Sequence, residues 1–385
     1  MPLLHALLLM AMLGISPDEY RERRARLRQA LPDTAILLMG SADTSSDPRS
    51  PLLQEPNFYY LTGWLEPGAV LLILPEDAQP NEILFLPPHN ERKERYEGRR
   101  AAAGDEGVEK RTGFLVVRST DIWEAEVARL APQAKKLSTI SHAIARLRTV
   151  KSHTEIELLQ RAIDVTSQAH LAAWKRPKTD LYEYQLAATM TATFLELGCE
   201  RPAYRPVVGS GPNSVILHYG ANRRRMDRGE VVVMDVGAEC ASYAADITRT
   251  IPVSGRFTAR QRELYEVVLG AQKAAIAAVK PGAFLGATGE LVKAARDYMD
   301  KHDGLGKYFT HGIGHHVGLE VHDAMVPAEP LVPGMVITIE PGIYIPEENI
   351  GIRIEDMVLV TAQGGKVLSA SLPREAAEIE KRLAK

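Results

Sequence analysis

Four carboxylic acids interrupt runs that are otherwise apolar. Asp235 ends Val231-Val232-Val233-Met234-Asp235, and Asp246 lies in Ala244-Ala245-Asp246-Ile247. Glu340 closes Val336-Ile337-Thr338-Ile339-Glu340, and Glu355 follows Ile352-Arg353-Ile354. Side chains two apart on a strand share a face, so Asp235 falls with Val231 and Val233, and Glu355 with Arg353. A buried carboxylate is costly unless it finds a cation or takes up a proton. Any one of these acids is explained as a sheet-edge or turn residue; four on four apolar strands are not. Two divalent cations would balance their charge, and hard oxygen donors suit Mn²⁺, Co²⁺ or Zn²⁺.

Histidine supplies the remaining donor. Four of the eleven histidines, His311, His315, His316 and His322, fall within twelve positions. His311 and His315 are four apart, which on a helix would let both bind one zinc. Gly312 and Gly314 argue against a helix, so the two are not expected to share a metal. A histidine cluster beside carboxylates is more often functional than a lone packing histidine. His218, in Leu217-His218-Tyr219, stands alone and reads as structural by itself.

Strands must carry these acids. The pattern predicts strand 231–236 paired with 243–251, and strand 336–340 paired with 350–360. A long helix opens at Ser152-His153-Thr154-Glu155, which has the form of a capping box, and continues through Ile156, Leu159, Ile163 and Thr166. A second helix over 259–279 stops at Pro281-Gly282. Both halves of this region read as a helix followed by an acid-bearing hairpin, though no strict repeat period emerges. The preceding part alternates an Arg-rich amphipathic helix over 20–31 with strands over 35–39, 70–74, 83–86 and 114–117. That alternation predicts an α/β layer. The charged stretch 91–100 reads as a solvated helix face. A boundary falls near Val150-Lys151.

Composition sets the frame. With 385 residues, two domains are expected. Hydrophobic residues at 45% and charged residues at 25% exclude a disordered or collagen-like chain. A net charge of −3 gives no nucleic-acid-sized basic excess and no acidic tail. Two cysteines, Cys199 and Cys240, are too few for a disulfide framework or a four-ligand zinc site. The apolar run over 3–13 is too short to span a membrane. No basic residue precedes it, and Pro17 makes a poor cleavage junction, so residues 1–16 read as an apolar extension and the protein as cytoplasmic. Export is the alternative.

At this point the sequence resembles a known family. Asp235, Asp246, His315, Glu340 and Glu355 stand in the order of the five metal ligands of the pita-bread, methionine-aminopeptidase-like metallopeptidases. The segments that carry the resemblance are Met234-Asp235-Val236-Gly237, Asp246-Ile247-Thr248-Arg249-Thr250, His311-Gly312-Ile313-Gly314-His315, Ile339-Glu340-Pro341-Gly342 and Ile352-Arg353-Ile354-Glu355-Asp356. Within that superfamily the Xaa-Pro aminopeptidase (aminopeptidase P) family is most similar. Gly318-Leu319-Glu320-Val321-His322-Asp323, Ala203-Tyr204, Val207-Val208-Gly209-Ser210-Gly211 and His218-Tyr219 also fit it. Asn57-Phe58-Tyr59-Tyr60-Leu61-Thr62-Gly63 and Tyr96-Glu97-Gly98-Arg99-Arg100 resemble its amino-terminal domain. The likeness runs from about Ser16 onward; the family often has an aromatic where His316 stands.

The resemblance implies an α/β (α+β) chain: a creatinase-like amino-terminal domain over 17–150, then a pita-bread catalytic domain over 151–385. It implies two divalent ions, Mn²⁺ first among them, bridged by Asp246 and Glu355, with Asp235 on one ion and His315 and Glu340 on the other. Two metals about 3.5–4 Å apart can share a hydroxide fit to attack at neutral pH. Glu340 would be general base, and His322 and His218 would steady the scissile carbonyl. Tyr204, His311 and Arg353 would line a proline pocket, although Arg353 could instead pair with Glu355. The implied activity removes the first residue from peptides with proline second, in a homodimer or homotetramer with no nucleic-acid or membrane partner. A prolidase confined to dipeptides shares every ligand and is the alternative. A non-catalytic binding protein and a creatinase-like hydrolase would lack the metal set, which is present here.

Overall fold

The computed structural model describes residues 14–42, 54–176 and 180–384. The apolar run over 3–13 lies outside them. The chain forms two compact units that divide between Arg148 and Thr149.

The first unit contains helix α1 (Pro17–Ala30), strand β1 (Ile36–Met39), α2 (Pro56–Thr62), β2 (Val70–Ile73) and β3 (Glu82–Leu86). It continues with α3 (Glu91–Glu97), α4 (Val108–Thr112), β4 (Val117–Ser119), α5 (Trp123–Leu130), β5 (Lys135–Lys136) and α6 (Leu137–Thr149). The sheet order is β4-β3-β2-β1-β5. Its three central strands pair antiparallel and its two edges pair parallel. Strands β2 and β3 are buried throughout, which is why they read as continuous apolar runs. Helix α3 buries no residue, in keeping with a solvated face.

Two features differ from the sequence pattern. Arginines 23 and 24 of α1 are fully buried. Arg24 forks onto both oxygens of Glu82 at 2.7 and 3.0 Å and reaches the Leu61 carbonyl at 2.8 Å, so its planar donor set is satisfied in the core. The fourth strand starts at Val117 rather than at 114. Phe114 instead lies buried beneath the Arg24 guanidinium.

The second unit opens with α7 (His153–Trp174), where Ser152 and Glu155 close a reciprocal capping box. It continues through α8 (Glu183–Glu196), β6 (Arg201–Pro202), β7 (Val207–Ser210), β8 (Val231–Val236), β9 (Ala238–Cys240), β10 (Tyr243–Ala244) and β11 (Ile247–Pro252). Next come α9 (Ala259–Ala278), α10 (Glu290–Asp300), β12 (Val336–Ile339), β13 (Gly342–Ile345), β14 (Ile350–Arg353), β15 (Asp356–Thr361), β16 (Gly364–Val367) and α11 (Ala376–Leu383). The sheets have the orders β11-β8-β7, β10-β9-β6, β12-β15-β16 and β13-β14.

The expected second hairpin is wrong in detail. β12 pairs with β15, and β13 with β14, because the run over 350–360 is cut at Ile354-Glu355. The run over 243–251 is likewise cut at Ala245-Asp246. Only Asp235 therefore sits inside a strand; Asp246, Glu340 and Glu355 occupy breaks. At those breaks the backbone bonds outside its own ladder. Glu355 donates its N–H to the Thr248 carbonyl at 3.1 Å, and Glu340 to Ile313 at 2.9 Å. Gln272 on α9 ties the breaks together by donating to the carbonyls of Ile339 and Ile354 at 3.3 and 3.1 Å.

The two cysteines, too few for a framework, do form one bridge. Cys199, just after α8, joins Cys240 at the end of β9, with Cα atoms 4.4 Å apart. Among the described residues, no helix is long and apolar enough to cross a membrane.

Candidate metal centre

Asp246, His315 and Glu355 meet, each offering a donor atom within 4.8 Å of the others. The His315 Nε2 lies 3.4 Å from Asp246 Oδ2 and 3.4 Å from Glu340 Oε1. Its Nδ1 faces the His316 carbonyl at 3.1 Å, which fixes the ring with Nε2 turned toward the acids. Gly314 permits this placement, since a Cβ there would collide with the Thr338 carbonyl of β12. Those glycines argued against a helix, and residues 310–315 are indeed not helical.

Hydroxyl groups hold the carboxylates. Thr248 donates to Glu355 at 2.7 Å, and Thr338 donates to Glu340 at 3.1 Å. The Tyr204 hydroxyl lies 2.6 Å from Asp235 and 2.5 Å from Asp246. One phenol proton cannot serve both, so the second contact needs a proton on a carboxyl group or a cation in its place. Burial, with the nearby charges of Asp235 and Glu340, pushes the Asp246 carboxyl well above its ordinary range. Burial, with Asp246 and Glu340, does the same to Glu355, and burial raises Glu340. A cluster of buried acids that resists ionising, with an imidazole nitrogen aimed into it, is a donor set suited to divalent cations.

Arg353 is buried and reaches Asp235 at 2.5 Å, not Glu355. It also donates to the Tyr344 hydroxyl at 3.0 Å. Of its two sequence readings, the ion-pair one therefore has a different partner. His311 lies with Nδ1 4.0 Å from Glu340 Oε2 and bonds the Tyr344 hydroxyl through Nε2 at 2.9 Å. Burial, with Arg353 nearby, lowers its pKa to about 4, so the ring is neutral at pH 7. His322 packs edge-on against His315, ring centroids 4.1 Å apart, and burial lowers its pKa. His218 is exposed where it lines the cavity. All ten residues singled out from the sequence line one cavity of about 690 Å³. Sequence reading missed Thr248, Thr338 and Tyr344, whose hydroxyls carry no signal without their partners. It also missed Arg205, which lines the same cavity.

Comparisons with known proteins agree across both units. Residues 157–362 match metallopeptidase family M24, and residues 20–139 match the aminopeptidase P N-terminal domain. The Xaa-Pro aminopeptidase of Haemophilus influenzae is 33% identical over 96% of this chain and 98% of its own length. Human Xaa-Pro aminopeptidase 3 is 33% identical over 95% of this chain and 86% of its own. Among solved structures, Escherichia coli aminopeptidase P with the inhibitor Pro-Leu superposes with a TM-score of 0.86 at 30% identity, covering 96% of this chain and 99% of that one. Zinc-substituted E. coli aminopeptidase P in complex with product gives the same values, a TM-score of 0.86 at 30% identity.

Proposed function

We propose that this chain, which belongs to metallopeptidase family M24 and carries the aminopeptidase P N-terminal domain, cleaves the bond before a penultimate proline and releases the first residue of a peptide. It is a metallo-exopeptidase of the Xaa-Pro aminopeptidase kind. The observation that carries the detailed reading is the meeting of Asp246, His315 and Glu355 in one cavity with Glu340, His218, His322 and His311.

In this reading Asp235, Asp246, His315, Glu340 and Glu355 hold two divalent ions, Mn²⁺ first, with Co²⁺ and Zn²⁺ as alternatives. When bound, such ions supply Lewis acidity and lower the proton affinity of water. The protein does the rest. Glu340, oriented by Thr338, accepts the proton of the attacking water and returns it to the departing proline nitrogen. His218 and His322 face the cavity and donate to the scissile carbonyl as negative charge builds on its oxygen. Neutral His311 and the ring of Tyr204 give an apolar seat for proline, whose tertiary amide has no N–H to satisfy. Arg353 holds Asp235 and lines the same cavity. The active form is a homodimer or homotetramer.

The test is free amino-acid release from Xaa-Pro-Yaa, Xaa-Ala-Yaa and the dipeptide Xaa-Pro, each with metal and with chelator. Rapid, metal-dependent release from Xaa-Pro-Yaa alone is expected. Cleavage of the dipeptide alone would move the assignment to prolidase, and equal rates for Ala and Pro would refute the proline seat. On compartment, the Cys199–Cys240 bridge favours the exported alternative, since disulfides persist in oxidising surroundings. Alkylating thiols in intact cells before lysis decides it.

A further inference from the structure

The cavity contains a cationic side chain that the metal centre does not use. Arg205 follows Tyr204 directly and lines the cavity beside Leu217, His218, Gly220 and Ala221. It is exposed, and among the described residues its guanidinium has no hydrogen-bond or ion-pair partner. Two nearby arginines are committed elsewhere. Arg353 is committed to Asp235 and Tyr344, and Arg224 to Glu230 and Asp227.

Arg205 packs along the backbone of the cavity wall. The stem of Arg205 lies along Gly220, where a Cβ would stand 2.9 Å from Cδ and 3.0 Å from Nε. Gly220 does not adopt a left-handed φ, so its backbone does not demand glycine. A larger side chain there would only push the flexible Arg205 stem aside, so Gly220 leaves room for the arginine to lie as it does. Gly220 is two residues past His218, so the guanidinium sits on the rim that carries this carbonyl-facing histidine. The four cavity acids belong to the metal donor set, so none is free to neutralise it. A planar fork of donors on the rim of a peptide cleft fits one chemical class, a carboxylate accepting two parallel hydrogen bonds.

We propose that Arg205 is a specificity-determining residue, a carboxylate subsite that selects Xaa-Pro peptides bearing a carboxylate within a residue or two of the scissile bond. The proposal rests on the Xaa-Pro peptidase reading of the same cavity. Two sources share this chemistry: the terminal carboxylate of a short peptide, and an Asp or Glu side chain flanking the bond.

The experiment compares kcat/KM for Ala-Pro-Ala-amide, Ala-Pro-Ala, Ala-Pro-Asp-amide and Glu-Pro-Ala-amide. Cleavage of the neutral amide at the Ala-Pro bond tests the peptidase reading by itself. In the wild type, at least one carboxylate peptide should exceed the neutral amide about tenfold, chiefly through KM, and which one does so identifies the source. The ratio should collapse toward one in Arg205→Ala, recover in part in Arg205→Lys, and invert in Arg205→Glu toward a Lys-bearing analogue of the favoured peptide. Equal rates across the series in wild type, or an unaltered preference in Arg205→Ala, would overturn the subsite while leaving the peptidase reading standing.

Discussion

At the scale of residues, the Tyr204 hydroxyl faces two carboxylates with a single proton, a misfit that calls for a second proton or a cation. Protein donors alone do not satisfy these acids. Thr248, Thr338 and Tyr204 orient individual oxygens, and among the described residues the one arginine ion-paired to these four acids, Arg353, goes to Asp235. Asp246 and Glu355 remain to be neutralised. Replacing Asp246 with Asn should therefore remove metal and activity together, measured by elemental analysis beside peptide assay. The histidines should separate. His315→Ala is expected to lower metal content, because its Nε2 points into the acids. His322→Ala and His218→Ala should keep metal and lose about 10²–10³-fold in kcat, the usual loss for a donor to a developing oxyanion. If His322→Ala lost its metal while His315→Ala retained it, the two roles would be reversed. The four acids were legible in the sequence because a charged residue in an apolar run demands a partner, whereas His218 and His322 took their roles only from the family resemblance. The hydroxyl donors were not, since a threonine in a strand looks the same whether or not it meets a carboxylate.

Interrupted strands position the acids at the scale of elements. Hydrophobic alternation located the strands but ran straight through Glu355, giving one long strand over 350–360. The break at Glu355 depends on Thr248, which accepts its backbone N–H and donates to its side chain across 107 residues of chain. No local pattern encodes such a contact. The loop carrying His315 to His322 has a similar long-range anchor. Lys151 meets Asp323 at 2.9 Å across 172 residues, with both side chains almost fully buried. The Asp323 N–H also donates to the His316 carbonyl at 2.9 Å. Lys151→Met should cost about 3–5 kcal/mol in denaturant unfolding, because it removes the cation from a buried ion pair. The double variant Lys151→Met with Asp323→Leu should recover much of that loss. A single variant as stable as the wild type would show that the pair does not anchor the loop.

For the whole molecule, the cluster of buried acids is expected to cost stability until cations fill it. Folding buries Asp246, Glu355 and Glu340 together, and raises their pKa above the unfolded values of 3.8 for Asp and 4.5 for Glu. A group whose folded pKa is raised stabilises the fold below its unfolded pKa, and that contribution is lost as pH rises through the folded value. The chelated protein should therefore be penalised increasingly as pH climbs from the acid range toward neutrality, when these carboxyls must ionise while buried. Bound cations replace the protons and reverse the penalty; at a hundredfold excess over Kd, binding alone stabilises by about 2.7 kcal/mol. The difference in Tm between metal-loaded and chelated protein isolates this effect from all other titrating groups. It should widen from about pH 5 to pH 7.5, and metal addition to chelated protein in weak buffer should release protons. Asp246→Asn, with one fewer acid to ionise, should show a smaller widening. A Tm difference independent of pH, with no proton release, would mean that the acids are already ionised in the empty site, and that something other than a cation neutralises them.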